Sequence, residues 1–124
     1  MGSSMDSSTL SGRSILVVEA EAFAALDVET GLLGAGAKVF GVRQLRDALH
    51  MAEHPALSAA VIAQRLGGDS TTSVCRRLTD LGIPFMLYTR YDATEASQKW
   101  PGAPIVTKPA SAKELIGAVA GLFH

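Results

Sequence analysis

Short apolar runs alternate with helical patterns along the chain from Ser14 onward, and this alternation limits the possible folds more than any other feature. Alternation of this kind predicts an α/β fold: a parallel sheet with helices on both faces and right-handed crossovers. For five strands, this is the flavodoxin-like, three-layer, doubly wound sheet with strand order 2-1-3-4-5. The predicted strands are residues 15–18, 37–42, 59–63, 84–88 and 104–106.

A predicted helix follows each strand. In the first helix, Phe23, Leu26, Thr30 and Leu33 share one face, which we expect to pack on the sheet. Ser111 opens the last helix with a capping box. The five predicted helices are residues 21–33, 44–54, 69 or 70 to 81, 92–100 and 111–123.

Length and composition favour one domain in a reducing compartment. The 124 residues suffice for one core, and no apolar stretch is long enough for a membrane helix. Eleven basic residues against twelve acidic ones show no basic stripe, so neither nucleic acid nor membrane is the expected partner. A single cysteine fits the cytoplasm. Residues 1–13 are expected to be a flexible leader or the remnant of an expression tag, and residues 14–124 the domain.

Polar and charged residues follow four of the predicted strands. In doubly wound sheets, ligands bind beyond the carboxyl ends of the strands, near the switch point between strands one and three. The segments at that edge are residues 19–21, 63–68, 89–91 and 107–109.

These segments carry a family resemblance. Leu66-Gly67-Gly68 after the third strand, Thr89-Arg90-Tyr91-Asp92 after the fourth and Lys108-Pro109 after the fifth resemble the receiver domains of bacterial response regulators. The resemblance covers residues 13–123. It implies a signalling module of a two-component or phosphorelay pathway, in which an aspartate accepts a phosphoryl group beside Mg²⁺. It also implies a cis Lys108–Pro109 bond.

The matched positions imply a degenerate pocket. Glu19 stands at the first acidic position, but Ala20 stands at the second and Ala63 at the phosphoacceptor position. Thr89 and Lys108 match the hydroxyl and lysine positions. The resemblance therefore implies a pseudo-receiver that is not an enzyme, needs no cofactor and binds Mg²⁺ weakly or not at all. A phosphoacceptor moved to Glu19, Glu21 or Asp69 is a less favoured alternative.

The remaining charges allow two interpretations. Lys108 needs a counter-charge, and Glu19 is the nearest candidate in such a fold. The two residues form either a structural ion pair or a site for an anion or partner. Arg65 and Arg90 lie on the loops of the pocket and are candidates to fill the space of a phosphate and a metal.

The last helix has more apolar surface than one core face requires. We expect a partner or homodimer surface there, with the alternative that Ile116 and Phe123 belong to the core. The candidate interface residues are Tyr91, Trp100, Ile105, Ile116 and Phe123.

The sequence thus predicts a phosphorylation-independent, receiver-like module that binds a protein partner. The expected partner is a histidine kinase, a phosphotransfer protein or an output protein, and a homodimer is a further possibility. The alternative is a flavodoxin-like sensor that binds a small ligand or an anion at the same strand ends. Acidic Glu19 and Glu21 after the first strand disfavour flavin phosphate there.

Overall fold

The computed structural model describes residues 8–90 and 93–123. Five parallel strands form one sheet in the order β2-β1-β3-β6-β7, which confirms the predicted flavodoxin-like topology. The elements along the chain are β1 (Ser14–Val18), α1 (Ala22–Gly34), β2 (Lys38–Val42), α2 (Leu45–Met51), β3 (Ala59–Ala63), β4 (Arg65–Leu66), β5 (Asp69–Ser70), α3 (Thr72–Asp80), β6 (Phe85–Thr89), α4 (Ala93–Lys99), β7 (Ile105–Thr107) and α5 (Ala112–Gly121).

The central strands are apolar because both of their faces are covered. Every residue of β1, β3 and β6 is buried. Side chains that alternate along a strand point to opposite faces. In β1, Ile15 and Val17 join a core with α1 and α5, whereas Leu16 and Val18 join a core with α2, α3 and α4. The helices are therefore divided two to three between the faces of the sheet.

The predicted core face of α1 is wrong. Phe23, Leu26 and Leu33 are 81%, 56% and 58% exposed. The buried stripe of α1 consists instead of Ala25, Val28 and Leu32, which lie on the opposite side of the helix. Both stripes are apolar, but Ala25 has a small side chain and Phe23 a large one. The stripe with Ala25 allows the helix to lie close to the sheet, whereas the stripe with Phe23 would hold the helix further away.

The predicted partner surface on α5 is also wrong for Ile116, which is 6% exposed and belongs to the core between α1 and α5. Phe123 is half-buried against the same core, and the Arg13 guanidinium lies 4.0 Å from the centroid of its ring. A helix that contacts both a sheet and a neighbouring helix buries more than one stripe, which explains the wide apolar surface of α5.

The other interface candidates lie elsewhere. Trp100 is half-buried and packs edge-on against Phe85, with 5.8 Å between ring centroids. Ile105 is half-buried against the core that β1 shares with α2, α3 and α4. Tyr91 lies outside the described residues. The role of Trp100, Ile105 and Tyr91 in an interface stays a prediction.

Two further details differ from expectation. Leu10, within the expected leader, is 1% exposed and its backbone N–H donates to the carbonyl of Ala35 at 2.8 Å. A single leucine in a Ser- and Gly-rich segment gives no periodic signal, so the sequence did not reveal its burial. The turn at Gly67–Gly68 joins two short antiparallel strands, β4 and β5, that were not predicted. Gly67 has φ +60°, a conformation that favours glycine.

Candidate functional site

A cleft of about 810 Å³ lies at the carboxyl ends of β1, β3, β6 and β7. The five residues predicted to form a degenerate phosphorylation pocket all line it: Glu19, Ala20, Ala63, Thr89 and Lys108. They are brought together because parallel strands all end at one edge of the sheet and β1 lies beside β3 at the switch point. Other lining residues include Glu21, Gln64, Arg65, Tyr88, Arg90 and Glu95.

An ion pair between Lys108 and Glu19 occupies the base of the cleft. The Lys108 Nζ contacts Glu19 Oε1, and the side chains are only 12% and 5% exposed. The other oxygen of Glu19 accepts from the backbone N–H of Glu21 at 3.0 Å. The predicted contact between Lys108 and Glu19 is thus confirmed. Removing Lys108 would leave the Glu19 carboxylate buried without its counter-charge, which is costly.

Lys108 has further neighbours. Its Nζ lies 3.9 Å from Glu21 Oε1 and 5.2 Å from the centroid of the Tyr88 ring. The Lys108–Pro109 bond is cis, as predicted. Burial raises the pKa of the Tyr88 phenol from its ordinary value, a hydrogen bond with the backbone of Ala110 opposes the rise, and the nearby Asp27, Glu19 and Glu21 charges add to it.

A hydrogen bond that the sequence reasoning missed joins the ends of β3 and β6. The Thr89 hydroxyl, on a residue that is 2% exposed, donates to Gln64 Oε1 at 2.9 Å. Gln64 is held in turn by Thr71, whose hydroxyl hydrogen-bonds with the carbonyls of Ala63 and Gln64 at 2.8 and 2.9 Å. The available signal for Gln64 was its place as the first polar residue after the buried third strand.

The two arginines proposed to fill the pocket behave differently. The Arg90 guanidinium contacts the carboxylate of Glu21, and both side chains are about half exposed, at 52% and 46%. Arg65 donates to the carbonyl of Gly68 at 2.7 Å, within its own hairpin. Both residues line the cleft. Their role as substitutes for a phosphate and a metal stays a prediction.

The donor set of the cleft does not fit Mg²⁺. Magnesium requires a near-octahedral set of oxygen ligands and usually one or two carboxylates. Glu19 and Glu21 are engaged by Lys108 and Arg90, whereas Ala20 and Ala63 have no side-chain oxygen. No group of three or more metal-ligating side chains is found within residues 8–90 and 93–123.

Among the helices described, none is long and apolar enough to cross a membrane.

Solved structures share this architecture. A response regulator receiver protein from Sinorhizobium medicae WSM419 superimposes with a TM-score of 0.82 at 28% identity, over 89% of this chain and 93% of that chain. The non-phosphorylated HemR receiver domain from Leptospira biflexa gives a TM-score of 0.80 at 17% identity, over 89% and 93%. The response regulator PhyR from Brucella abortus gives 0.80 at 23% identity, over 97% of this chain but 51% of its own length.

The chain therefore has the receiver fold. No protein-family model matches the sequence, and no curated protein is significantly similar to it. The structural likeness supports a signalling module of the response-regulator kind.

Proposed function

We propose that this chain is a receiver-like signalling module of a bacterial two-component or phosphorelay pathway that works without phosphorylation at the usual position. The support is its similarity to a response regulator receiver protein together with alanine at positions 20 and 63. A phosphoryl acceptor must supply a nucleophilic oxygen, and Ala63 has none. The module would act by binding a protein and would not catalyse a reaction.

The observation that carries this proposal is the internal neutralisation of the cleft. In the receiver pattern, the lysine and the hydroxyl residue are the groups that meet a phosphoryl group. Here the Lys108 ammonium contacts Glu19, and the Thr89 hydroxyl donates to Gln64. Both polar groups find partners within the chain, so the cleft is electrostatically satisfied without a phosphoryl group.

The partner that follows from this proposal is a histidine kinase, a phosphotransfer protein or an output protein, met in the cytoplasm. Such a module would bind its partner protein, or compete with another protein for it, with an affinity that does not change. A receiver that is switched by phosphorylation would instead bind its partner in two distinct states.

Incubation with acetyl phosphate and Mg²⁺, followed by intact-mass spectrometry, tests the proposal. We expect no phosphoryl adduct on the wild-type protein, because neither Ala20 nor Ala63 offers an oxygen. We also expect no change in the melting temperature on addition of Mg²⁺. A hydroxylamine-sensitive phosphoryl adduct on the wild type would refute the proposal.

The variant Ala20→Asp with Ala63→Asp is the matched control. Two added carboxylates beside Glu19 should destabilise the fold by about one to a few kcal/mol, because like charges are crowded together. Mg²⁺ should restore part of this loss by binding only the folded state. A double variant whose melting temperature ignores Mg²⁺ would contradict the assignment of positions 20 and 63.

A small-ligand sensor is the second candidate, favoured by the cleft volume of about 810 Å³. Ligand pockets typically have volumes of roughly 300–1,000 Å³. Two carboxylates directly after β1 disfavour a flavin phosphate in this cleft. A visible absorption spectrum of the purified protein distinguishes the small-ligand sensor from the signalling module, because flavin absorption bands would favour the sensor.

A further inference from the structure

A second pocket, of about 380 Å³, lies at the opposite end of the sheet from the cleft. It is lined mainly by residues 82–85 and 100–103, which lead into β6 and β7, and by Leu122 just after α5. No described residue lines both this pocket and the cleft. Because it lies where β6 and β7 begin, we call it the amino-edge pocket.

The apolar side chains of the amino-edge pocket come from both cores of the molecule. Ile83, Trp100 and Ala103 are half-buried against the core on one face of the sheet, and Leu122 is half-buried against the core on the other. Phe85 is 8% exposed and packs edge-on against Trp100. The pocket is thus a gap between the two cores, with walls of apolar side chains that the protein leaves partly uncovered.

Several polar groups around the pocket are already engaged within the chain. The Thr79 hydroxyl donates to the carbonyl of Cys75 at 2.8 Å. The backbone N–H groups of Gly82, Ile83 and Ala103 donate to nearby carbonyls at 3.1, 2.9 and 3.0 Å. Each of these groups has a single hydrogen, so none has one left to donate to a ligand.

The lining of the amino-edge pocket favours an uncharged ligand. Pro84 and Pro101 have no N–H to donate. None of the described residues that line the pocket carries a charge. A charged group placed there would lose water without gaining a counter-charge, which is costly. The volume of the pocket lies within the range of roughly 300–1,000 Å³ that is typical of small-molecule sites.

The two aromatic residues of the lining favour an aromatic ligand. Aromatic rings prefer edge-to-face or offset contacts with centroids about 4.5–7 Å apart. Phe85 and Trp100 already form such a pair, with centroids 5.8 Å apart and an interplanar angle of 80°. Since both residues line the pocket, a third ring bound there would extend the pair by the same kind of packing.

We propose that the amino-edge pocket binds a small, uncharged aromatic molecule beside Trp100 and Phe85. This site goes beyond the proposed function, because a protein partner and a ligand at the other end of the sheet are independent. The phosphodonor experiment probes the cleft and the experiment below probes the amino-edge pocket, so each can fail without the other.

The test is a titration of ¹⁵N-labelled protein followed by ¹H–¹⁵N NMR. The probe is 2-naphthol, and naphthalene-2-sulfonate is the matched control, because it has the same fused rings and a charge. The chain has one tryptophan, so a single indole N–H peak reports on the pocket. We expect 2-naphthol to shift this peak saturably and to bind at least about tenfold more tightly than the sulfonate. The amide peaks of Ala63 and Thr89, in the cleft, should stay in place.

Two variants make the test specific to the amino-edge pocket. Ile83→Ala should weaken 2-naphthol by at least about fivefold, because apolar carbon atoms are removed from the wall. Leu81→Ala is the matched control, since Leu81 lies in the same turn, is 49% exposed and does not line the pocket. It should leave binding unchanged. Far-UV circular dichroism checks that both variants fold, and the peak shifts of the wild type decide the question if Ile83→Ala does not.

Several results would overturn the proposal. These are no saturable shift of the Trp100 indole peak, equal affinity for 2-naphthol and its sulfonate, or equal affinity of the wild type and a folded Ile83→Ala variant. Shifts centred on Ala63 and Thr89 would place the ligand in the cleft instead. Dimerisation in sedimentation that Ile83→Ala abolishes would assign the pocket to a second copy of the chain.

Discussion

Helices α1 and α5 lie side by side on one face of the sheet, yet they place their apolar residues differently. In α5, Leu115, Ile116 and Val119 are buried. In α1, an equally apolar stripe that includes Phe23 and Leu26 faces outward. Helix α5 packs against α1, β3, β6 and β7, whereas α1 packs against α5, β1 and the edge strand β2.

The difference shows what an apolar pattern can and cannot specify. Each helix has more apolar surface than contact with a sheet requires. In α5, a neighbouring helix covers the excess, because Ile116 approaches Gly31 of α1. In α1, the excess lies on the side away from the sheet. The sequence of a helix determines how many apolar stripes it has, but the elements packed around the helix determine which stripe is buried.

The largest difference in stability should be found between two variants that each place a carboxylate on one of these helices. Ile116→Asp should lower the free energy of unfolding by about 3–5 kcal/mol, because it puts an unpaired carboxylate in the core. Phe23→Asp, at an exposed position of α1, should change it by less than about 0.5 kcal/mol. Urea unfolding followed by far-UV circular dichroism measures both. Near-wild-type stability of Ile116→Asp would show that this side of α5 is not core.

A smaller effect should distinguish the two stripes of α1. Val28→Ala removes two buried methyl groups and should lower the free energy of unfolding by about 1.5–3 kcal/mol. Leu26→Ala removes more carbon from an exposed position and should change it by less than about 0.5 kcal/mol. The reverse order in urea unfolding would mean that the helix is rotated about its axis relative to this structure.

Most of the fold could be predicted because its signals are local. Strands such as Ala59–Ala63 are unbroken apolar runs, and such runs in alternation with helices allow few topologies. The helix start at Ser111 was predicted from a cap that the structure confirms, with the Ser111 hydroxyl accepting from the N–H of Glu114 at 3.1 Å. The rotation of α1 could not be predicted, because it depends on packing between distant segments.

The candidate site was predictable only in part for the same reason. Glu19 and Lys108 are charged residues at adjacent strand ends, so their contact follows from topology. The hydrogen bond from Thr89 to Gln64 depends on the path of the loop after β3, which Thr71 holds through two carbonyls. No motif in the sequence specifies that path.

The smallest effect should come from Gly31, where α1 and α5 meet. A Cβ at this position would lie 3.5 Å from the Cβ of Ala112 and 3.9 Å from the Cδ1 of Ile116, which are ordinary contacts. Alanine also loses less backbone freedom in a helix than glycine does. Gly31→Ala should therefore raise the free energy of unfolding by about 0.5–1 kcal/mol.

Gly34→Ala is the matched control, because a Cβ at Gly34 would have no neighbour within 4 Å. Gly34 is the last residue of α1, so its gain in helix propensity should be smaller and involve no contact with α5. Urea unfolding should show a larger stabilisation for Gly31→Ala than for Gly34→Ala. The difference has two sources, the interior position of Gly31 in the helix and the added contact between α1 and α5. A loss of stability at Gly31 would mean that α1 and α5 are already too close for a methyl group. In that case the burial of α5 depends on a glycine in the neighbouring helix as well as on its own apolar residues.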